Sequence, residues 1–307
     1  MANCTERNCT TKMCHPSTSQ WKTGVGVFFV ALNIFLSITA SLGNAVIFIV
    51  LHKKTSLHPP TKLLFKCLSV TDLCVGLISQ PLHCTLILSH YTTKMKSSII
   101  FFVTKANTTV SAILCGISVG TSTAISLDRL LALLLGMRYR QVVTLSRARV
   151  VVTCIWKISV LLSCISFLNF HIFWITVYVG VISSLALSLF SYMKIYFTLR
   201  QHQAQIQAQF QQGQRGGIPL NMVRYKKTVS SILWVQLMLL LCYIPFVVVS
   251  VLTIDEEISF DAIWAATVTL VYLNSSLNPI LYCWKIKEVR QEIKNLMRDS
   301  CLRSLWR

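Results

Sequence analysis

Asp72 is the side chain with the most chemistry to explain. It stands midway through an apolar run, in Leu68-Ser69-Val70-Thr71-Asp72-Leu73. An isolated carboxylate is untenable in hydrocarbon, so Asp72 must be neutral, paired or bound to a cation. A second polar cluster, Asn274-Ser275-Ser276-Leu277-Asn278-Pro279-Ile280-Leu281-Tyr282, closes another apolar run far down the chain. Asn274, Asn278 and Tyr282 recur at helical spacing and share one face. Pro279 has no N–H and clashes with the carbonyl of Ser275, which frees a backbone acceptor there. Asp72, Ser118, Asn274, Ser275 and Asn278 together offer the oxygen density that suits a small hard cation such as sodium. A water-filled polar core around a protonated Asp72 satisfies the same carboxylate equally well.

Two further motifs carry charge or shape. Asp128-Arg129-Leu130 ends the third apolar run, and Arg138-Tyr139-Arg140 follows one short link later. Asp128 can neutralise Arg129 near an interface, and a snorkelling membrane-edge pair is the plain alternative. Cys242-Tyr243-Ile244-Pro245 puts a proline beside an aromatic residue, as a hinge or as a static packing kink. Within the apolar runs no His, Cys, Asp or Glu cluster has catalytic or metal-binding spacing, so the chain reads as no enzyme.

The elements that must position these residues follow from composition. Of 307 residues, 54% are hydrophobic and 13% charged, against about 25% charged in a soluble domain. Bilayer-length apolar runs recur at about 24–51, 63–89, 98–135, 150–168, 172–199, 228–254 and 260–284. The expected fold is an all-α membrane protein, a bundle over 24–284 between a tail, 1–23, and a carboxyl-terminal segment, 285–307. Met1–Trp21 is polar and lacks the apolar core of a secretory signal, so the first run is expected to act as an uncleaved anchor.

The net charge is +19, and its placement decides its meaning. Lys53, Lys54 and Lys62, then Arg138, Arg140, Arg147 and Arg149, then Arg200 to Lys227, occupy alternate links, and more basic residues follow Trp284. The other links hold few, and the sixth is acidic through Asp255, Glu256, Glu257 and Asp261. The positive-inside rule then predicts an external amino terminus and a cytoplasmic carboxyl terminus. The basic charge is read as a face toward anionic membrane lipid, and nucleic acid is not an expected partner.

Asn3 and Asn8 open glycan acceptor triplets in the external tail. Cys4, Cys9 and Cys14 suit disulfides there better than metal, with Cys84 as a candidate fourth partner. The link after Leu168 is very tight, whereas 200–227 reads as a helical extension and a flexible linker. Lys285–Arg298 is amphipathic and suits a surface helix, beyond which Cys301 is either a palmitoyl acceptor or a free thiol.

Taken together, Gly43-Asn44, Leu68-Ser69-Val70-Thr71-Asp72-Leu73, Asp128-Arg129, Trp156, Tyr192, Cys242-x-x-Pro245 and Asn278-Pro279-Ile280-Leu281-Tyr282 resemble the rhodopsin-like (class A) G protein-coupled receptors, in order and with fitting spacing. The resemblance implies a seven-helix plasma-membrane receptor whose sixth span swings about Pro245. Tyr192 and Tyr282 would rearrange toward Arg129 as a heterotrimeric G protein docks, with Tyr243 at the hinge. It also implies that Asp72, Ser118 and Asn274 belong to a sodium pocket, with Ser275 and Asn278 beside them, and that sodium is the one ion to expect there.

The chain departs from the family at several positions. Thr104 stands where a cysteine usually anchors the third span, and Ser184 stands near the usual proline of the fifth. More loosely, the chain resembles the subset holding melanocortin, cannabinoid, lysophospholipid and adenosine receptors. Leu82, Thr104 and Thr108 occupy the places of the melanocortin acidic cluster, which disfavours a melanocortin ligand. Ser111 disfavours a monoamine, and the absence of a lysine within the seventh run excludes a retinal Schiff base. Leu130 and Tyr243 replace a usual tyrosine and tryptophan. Tyr225, Lys226 and Lys227 stand where an acidic lock is usual, so raised basal signalling is expected. The ligand pocket is expected around Ser111, Phe173, Trp264, Val268 and Tyr272, and suits a small molecule such as a nucleoside, a lipid or a small peptide. A transporter or channel is the competing class, opposed by the lack of an internal repeat, and a signalling-dead scaffold is another.

Overall fold

The computed structural model describes residues 16–52, 57–91, 97–211, 237–252, 262–285, 289–295 and 298. The acceptor triplets at Asn3 and Asn8, the cysteines 4, 9, 14 and 301, the acidic link and Tyr225, Lys226 and Lys227 lie outside those residues. The described chain is helical: α1 (Pro16–His52), α2 (Pro59–Cys74), α3 (Gln80–Tyr91), α4 (Ser97–Leu135), α5 (Tyr139–Val142), α6 (Leu145–Cys164), α7 (Phe170–Gln211), α8 (Leu237–Leu252), α9 (Ala262–Lys285) and α10 (289–295).

Local chemistry sets the boundaries. Pro59 and Pro60 open α2 at its first turn, where a missing N–H costs nothing, with His58 extended before them. The start is therefore a turn earlier than the apolar run alone suggests. Gly136, at φ 49°, turns the chain out of α4, a conformation costly for a side chain. Thr144 caps α6 by accepting from the Arg147 N–H. A π-turn, Val75–Ser79, joins α2 to α3 just before Pro81, which cannot donate to the preceding turn. Ser37 Oγ donates to the Gly76 carbonyl there at 2.6 Å. A Cβ on Gly76 would sit 2.6 Å from Ser41 Oγ, so glycine is what lets α1 approach the π-turn. Between α6 and α7 the Ile165–Phe167 turn leaves only Leu168 and Asn169 before α7 begins, a link still shorter than the sequence suggests.

Among the described residues, five helical stretches are long and apolar enough to cross a membrane, and α8 is a shorter apolar helix. α9 carries Asn274 to Asn278, which lower its apolarity. The burial pattern inverts that of a water-soluble domain. Asn33, Asn44, Asp72 and Gln80 are fully buried, while Phe102, Leu161 and Phe35 stand exposed on the perimeter. α4 runs through the centre against α2, α3, α6 and α7, and α1 packs along α9 and α2. α10 buries Val289 in the cluster with Ile47, Phe65 and Tyr282 and leaves Arg290 and Lys294 exposed. The amphipathic segment thus tucks its apolar edge under the bundle.

The outer anchor of α4 is polar. Lys105 Nζ donates to the Ser166 carbonyl at 3.2 Å, and Thr109 Oγ1 lies 3.2 Å from Ser166 Oγ. These bonds stand where Thr104 has replaced the expected cysteine. Cys84 is a buried free thiol packed on Val30 and Ile87. It faces the α1–α3 interface, while its candidate partners Cys4, Cys9 and Cys14 lie outside the described residues.

Candidate functional site

Asp72 is fully buried and accepts hydrogen bonds from two other helices. Ser118 Oγ of α4 donates to Oδ1 at 3.2 Å, and Ser275 Oγ of α9 donates to the same oxygen at 2.8 Å. Asn278 Nδ2 of α9 donates to Oδ2 at 2.7 Å. Each hydroxyl can give its proton to the carboxylate or rotate to present lone pairs to a cation beside it. Asn274 is buried on α9 but makes no hydrogen bond to Asp72; the geometry joins Asp72 to the Ser275–Asn278 pair instead. The acceptor freed by Pro279 is taken by α1: Asn44 Nδ2 donates to the Ser275 carbonyl at 3.0 Å and to the Ala40 carbonyl at 2.9 Å. Gly43 lies directly against the Pro279 ring, where a Cβ would come within 2.9 Å.

At the Arg129 end, Asp128 is buried and held from three sides. Arg129 Nη2 lies 3.1 Å from Oδ2, Thr61 Oγ1 donates to Oδ2 at 2.8 Å, and the Tyr139 hydroxyl donates to Oδ1 at 2.7 Å. Asp128 therefore ties α4 to α2 and α5 as well as pairing with Arg129. Thr61 and Tyr139 escaped the sequence reading. The only signal was Tyr139 between Arg138 and Arg140, one link after Asp128. His58 packs its ring 5.1 Å from that of Tyr139. Burial holds the imidazole below its ordinary range despite the opposite pull of Asp128, and Arg140 and Arg129 add to the lowering. It therefore meets Tyr139 as a neutral ring at neutral pH.

Tyr282 is buried edge-on to Phe65, with ring centroids 5.0 Å apart, and among the described residues its hydroxyl has no hydrogen-bond partner. Tyr192 is half-buried on α7. Tyr243 is buried in α8 among Val119, Leu185 and Val271, and Pro245 follows it, half-buried.

At the opposite end a cavity of about 400 Å³ opens between the helices, within the roughly 300–1,000 Å³ of small-molecule sites. Ser111, Phe173, Trp264, Val268 and Tyr272 all line it. Ser111 Oγ lies 3.0 Å from the Tyr272 hydroxyl and donates to Asn107 Oδ1 at 3.4 Å. The His83 ring meets Tyr272 edge-on at 5.4 Å. Trp174 stacks on Tyr178 and meets Trp264 edge-on at 6.0 Å. His83, Asn107 and Trp174 also line the cavity and were missed, since a polar residue near a helix end gives no signal of the direction it faces.

A family profile described as "7 transmembrane receptor (rhodopsin family)" matches residues 43–173 and 168–282. Adenosine receptor A2a of Canis lupus familiaris is 22% identical over 90% of this chain and 73% of its own length. Adenosine receptor A3 of Ovis aries is 22% identical over 90% of this chain and 91% of its own. Adenosine receptor A2a of Homo sapiens is 20% identical over the same shares as the canine protein. With a profile spanning most of its length and a helical bundle built around a buried Asp72, the chain belongs to the rhodopsin family of seven-transmembrane receptors.

Proposed function

We propose that the protein is a plasma-membrane receptor that takes a ligand into the cavity beside Tyr272 and activates a heterotrimeric G protein at the Arg129 end. The observation that carries this reading is the position of Asp72. Its hydrogen bonds to α4 and α9 lie between the cavity and Arg129, so a shift of either helix changes the partners of one buried carboxylate. A buried polar network of this kind has few satisfied arrangements, which favours discrete states over continuous deformation. The basic links, by the positive-inside rule, support a cytoplasmic Arg129 end and an external amino terminus.

Asp72, Ser118 and Ser275, with Asn278 beside them, would hold a sodium ion; their converging oxygens supply the hard ligands it needs. The ion would hold α2, α4 and α9 in one arrangement. The bonds around Asp128 hold its Arg129 end closed, and movement of α8 about Pro245 would open it, with Tyr192 and Tyr282 moving toward Arg129. Lys226 and Lys227 in place of an acidic lock support raised basal signalling.

The named relatives are adenosine receptors, so adenosine belongs among the ligands to be compared. The test of the function is Arg129→Ala in cells carrying a broad G protein reporter. Agonist-driven response is expected to vanish while surface expression and ligand binding persist. A response undiminished in that variant would refute G protein coupling through this end.

A further inference from the structure

The cavity has a chemistry that narrows its ligand. Among the described residues no Asp, Glu, Lys or Arg lines it. An ionised ligand group held there would lack a counter-charge in a low-dielectric site, and that is costly. At one end Asn107, Ser111 and Tyr272 form a connected hydrogen-bonding group. His83 lines the same end, is 2% exposed, and among the described residues its Nε2 has no hydrogen-bond partner. A buried ring nitrogen left this way has capacity for a ligand group.

The remaining wall is mostly apolar, through Ile155, Ile158, Leu162, Val177 and Val181 with a few hydroxyls such as Ser159 among them, and it reaches the perimeter. Gly116 and Gly120 of α4 admit Ser159 and Ile155 of α6 to close approach, at 3.1 and 3.0 Å from a built Cβ. Ile158 lines the cavity yet is 55% exposed. It lies past the middle of the Leu145–Phe167 span and well short of its end, so this opening faces acyl chains rather than water. Across it, Gly180 of α7 also lines the cavity, and a Cβ there would meet nothing within 4 Å.

From these features we infer that the ligand is an uncharged single-chain lipid amphiphile that enters from the bilayer between α6 and α7. Its hydroxyl or amide head reaches His83, Ser111 and Tyr272, and its acyl chain lies along Gly116, Gly180 and Ile158. The inference rests on the reading of this cavity as the ligand site, and it narrows the ligand class.

The test uses the full chain purified into nanodiscs, with thermal stabilisation and direct binding as readouts. The probes are monooleoylglycerol, oleoylethanolamide, oleic acid as the anionic analogue, oleylamine as the cationic analogue, and adenosine. The two neutral lipids are expected to bind and to raise the melting temperature, and the other three to bind at least about tenfold more weakly. Gly180→Phe fills the lateral opening without meeting another atom at its Cβ, and should weaken neutral-lipid binding at least about tenfold while the ligand-free melting temperature holds. Gly180→Val is the milder variant should phenylalanine impair folding. His83→Phe keeps the ring contact with Tyr272 and should weaken binding through the lost nitrogen. Tighter binding of a charged analogue or of adenosine, failure of both neutral lipids to bind, or equal neutral-lipid affinity in wild type and both Gly180 variants overturns the inference. Those outcomes leave G protein coupling intact, since that is read separately by Arg129→Ala. Lipid binding with no nucleotide exchange on any G protein would instead refute coupling and leave the ligand class standing.

Discussion

Single side chains carry most of the free-energy stakes in this bundle. Asn44 donates to the carbonyl that Pro279 frees, Ser275 O, at 3.0 Å. Removing it leaves a buried acceptor unpaired, which costs about 1–3 kcal/mol. Asn44→Ala is therefore expected to lower the melting temperature of the purified protein, and Asn44→Asp to recover little because an ionised carboxylate cannot donate. At Asp72, Asn replaces an acceptor that two hydroxyls address. Exchange of sodium for a bulky organic cation should lower the thermal stability of the wild type and leave Asp72→Asn unmoved; equal loss in both would remove the cation site. The sequence made Asp72, Ser275 and Asn278 legible because a carboxylate in hydrocarbon demands partners. Asn274 shares their face of α9 and is buried, but which of these neighbours bonds Asp72 directly, Ser275 and Asn278, depended on the packing of α2 against α9.

At the scale of elements, close helix approach depends on glycines and on what interrupts the helices. α1 meets α9 where Gly43 faces Pro279, with a built Cβ only 2.9 Å from the ring. Gly43→Val would overpack that contact at a cost of about 1–3 kcal/mol, measurable as reduced surface expression and earlier thermal unfolding. Gly24, with nothing within 4 Å of its Cβ, should accept Ala without loss and serves as the control. The helices themselves were legible, since apolar runs of bilayer length admit little else. The π-turn at Val75–Ser79 was not. Pro81 follows it, but the turn is settled by Ser37, in a helix distant in sequence, which bonds the Gly76 carbonyl. Likewise Asp128 was legible as a charge at a helix end, whereas its ties to Thr61 and Tyr139 needed the tertiary fold. Thr61→Val with Tyr139→Phe frees the carboxylate from α2 and α5, and basal nucleotide exchange on a reporter G protein should rise. Unchanged exchange at equal expression would show that these two bonds do not restrain the Arg129 end.

For the whole molecule, the fold is an apolar shell around a polar axis, with the cavity at one end and Arg129 at the other. Family membership was legible from motifs spread over the chain, because each motif answers the same problem of polar groups in hydrocarbon. The ligand was not, because its recognition depends on which wall residues face inward and on where the wall is open. The attachment of α4 to the end of α6 has a further consequence. Lys105 and Thr109 hold Ser166, so the top of the central helix is tethered by an ammonium and hydroxyls rather than by sulfur. Dithiothreitol in the medium should leave this tether intact, and signalling should persist in surroundings too reducing for a receptor that depends on a cystine at that position. The same tether is reversible without any redox chemistry, so it can break and re-form on the timescale of side-chain motion.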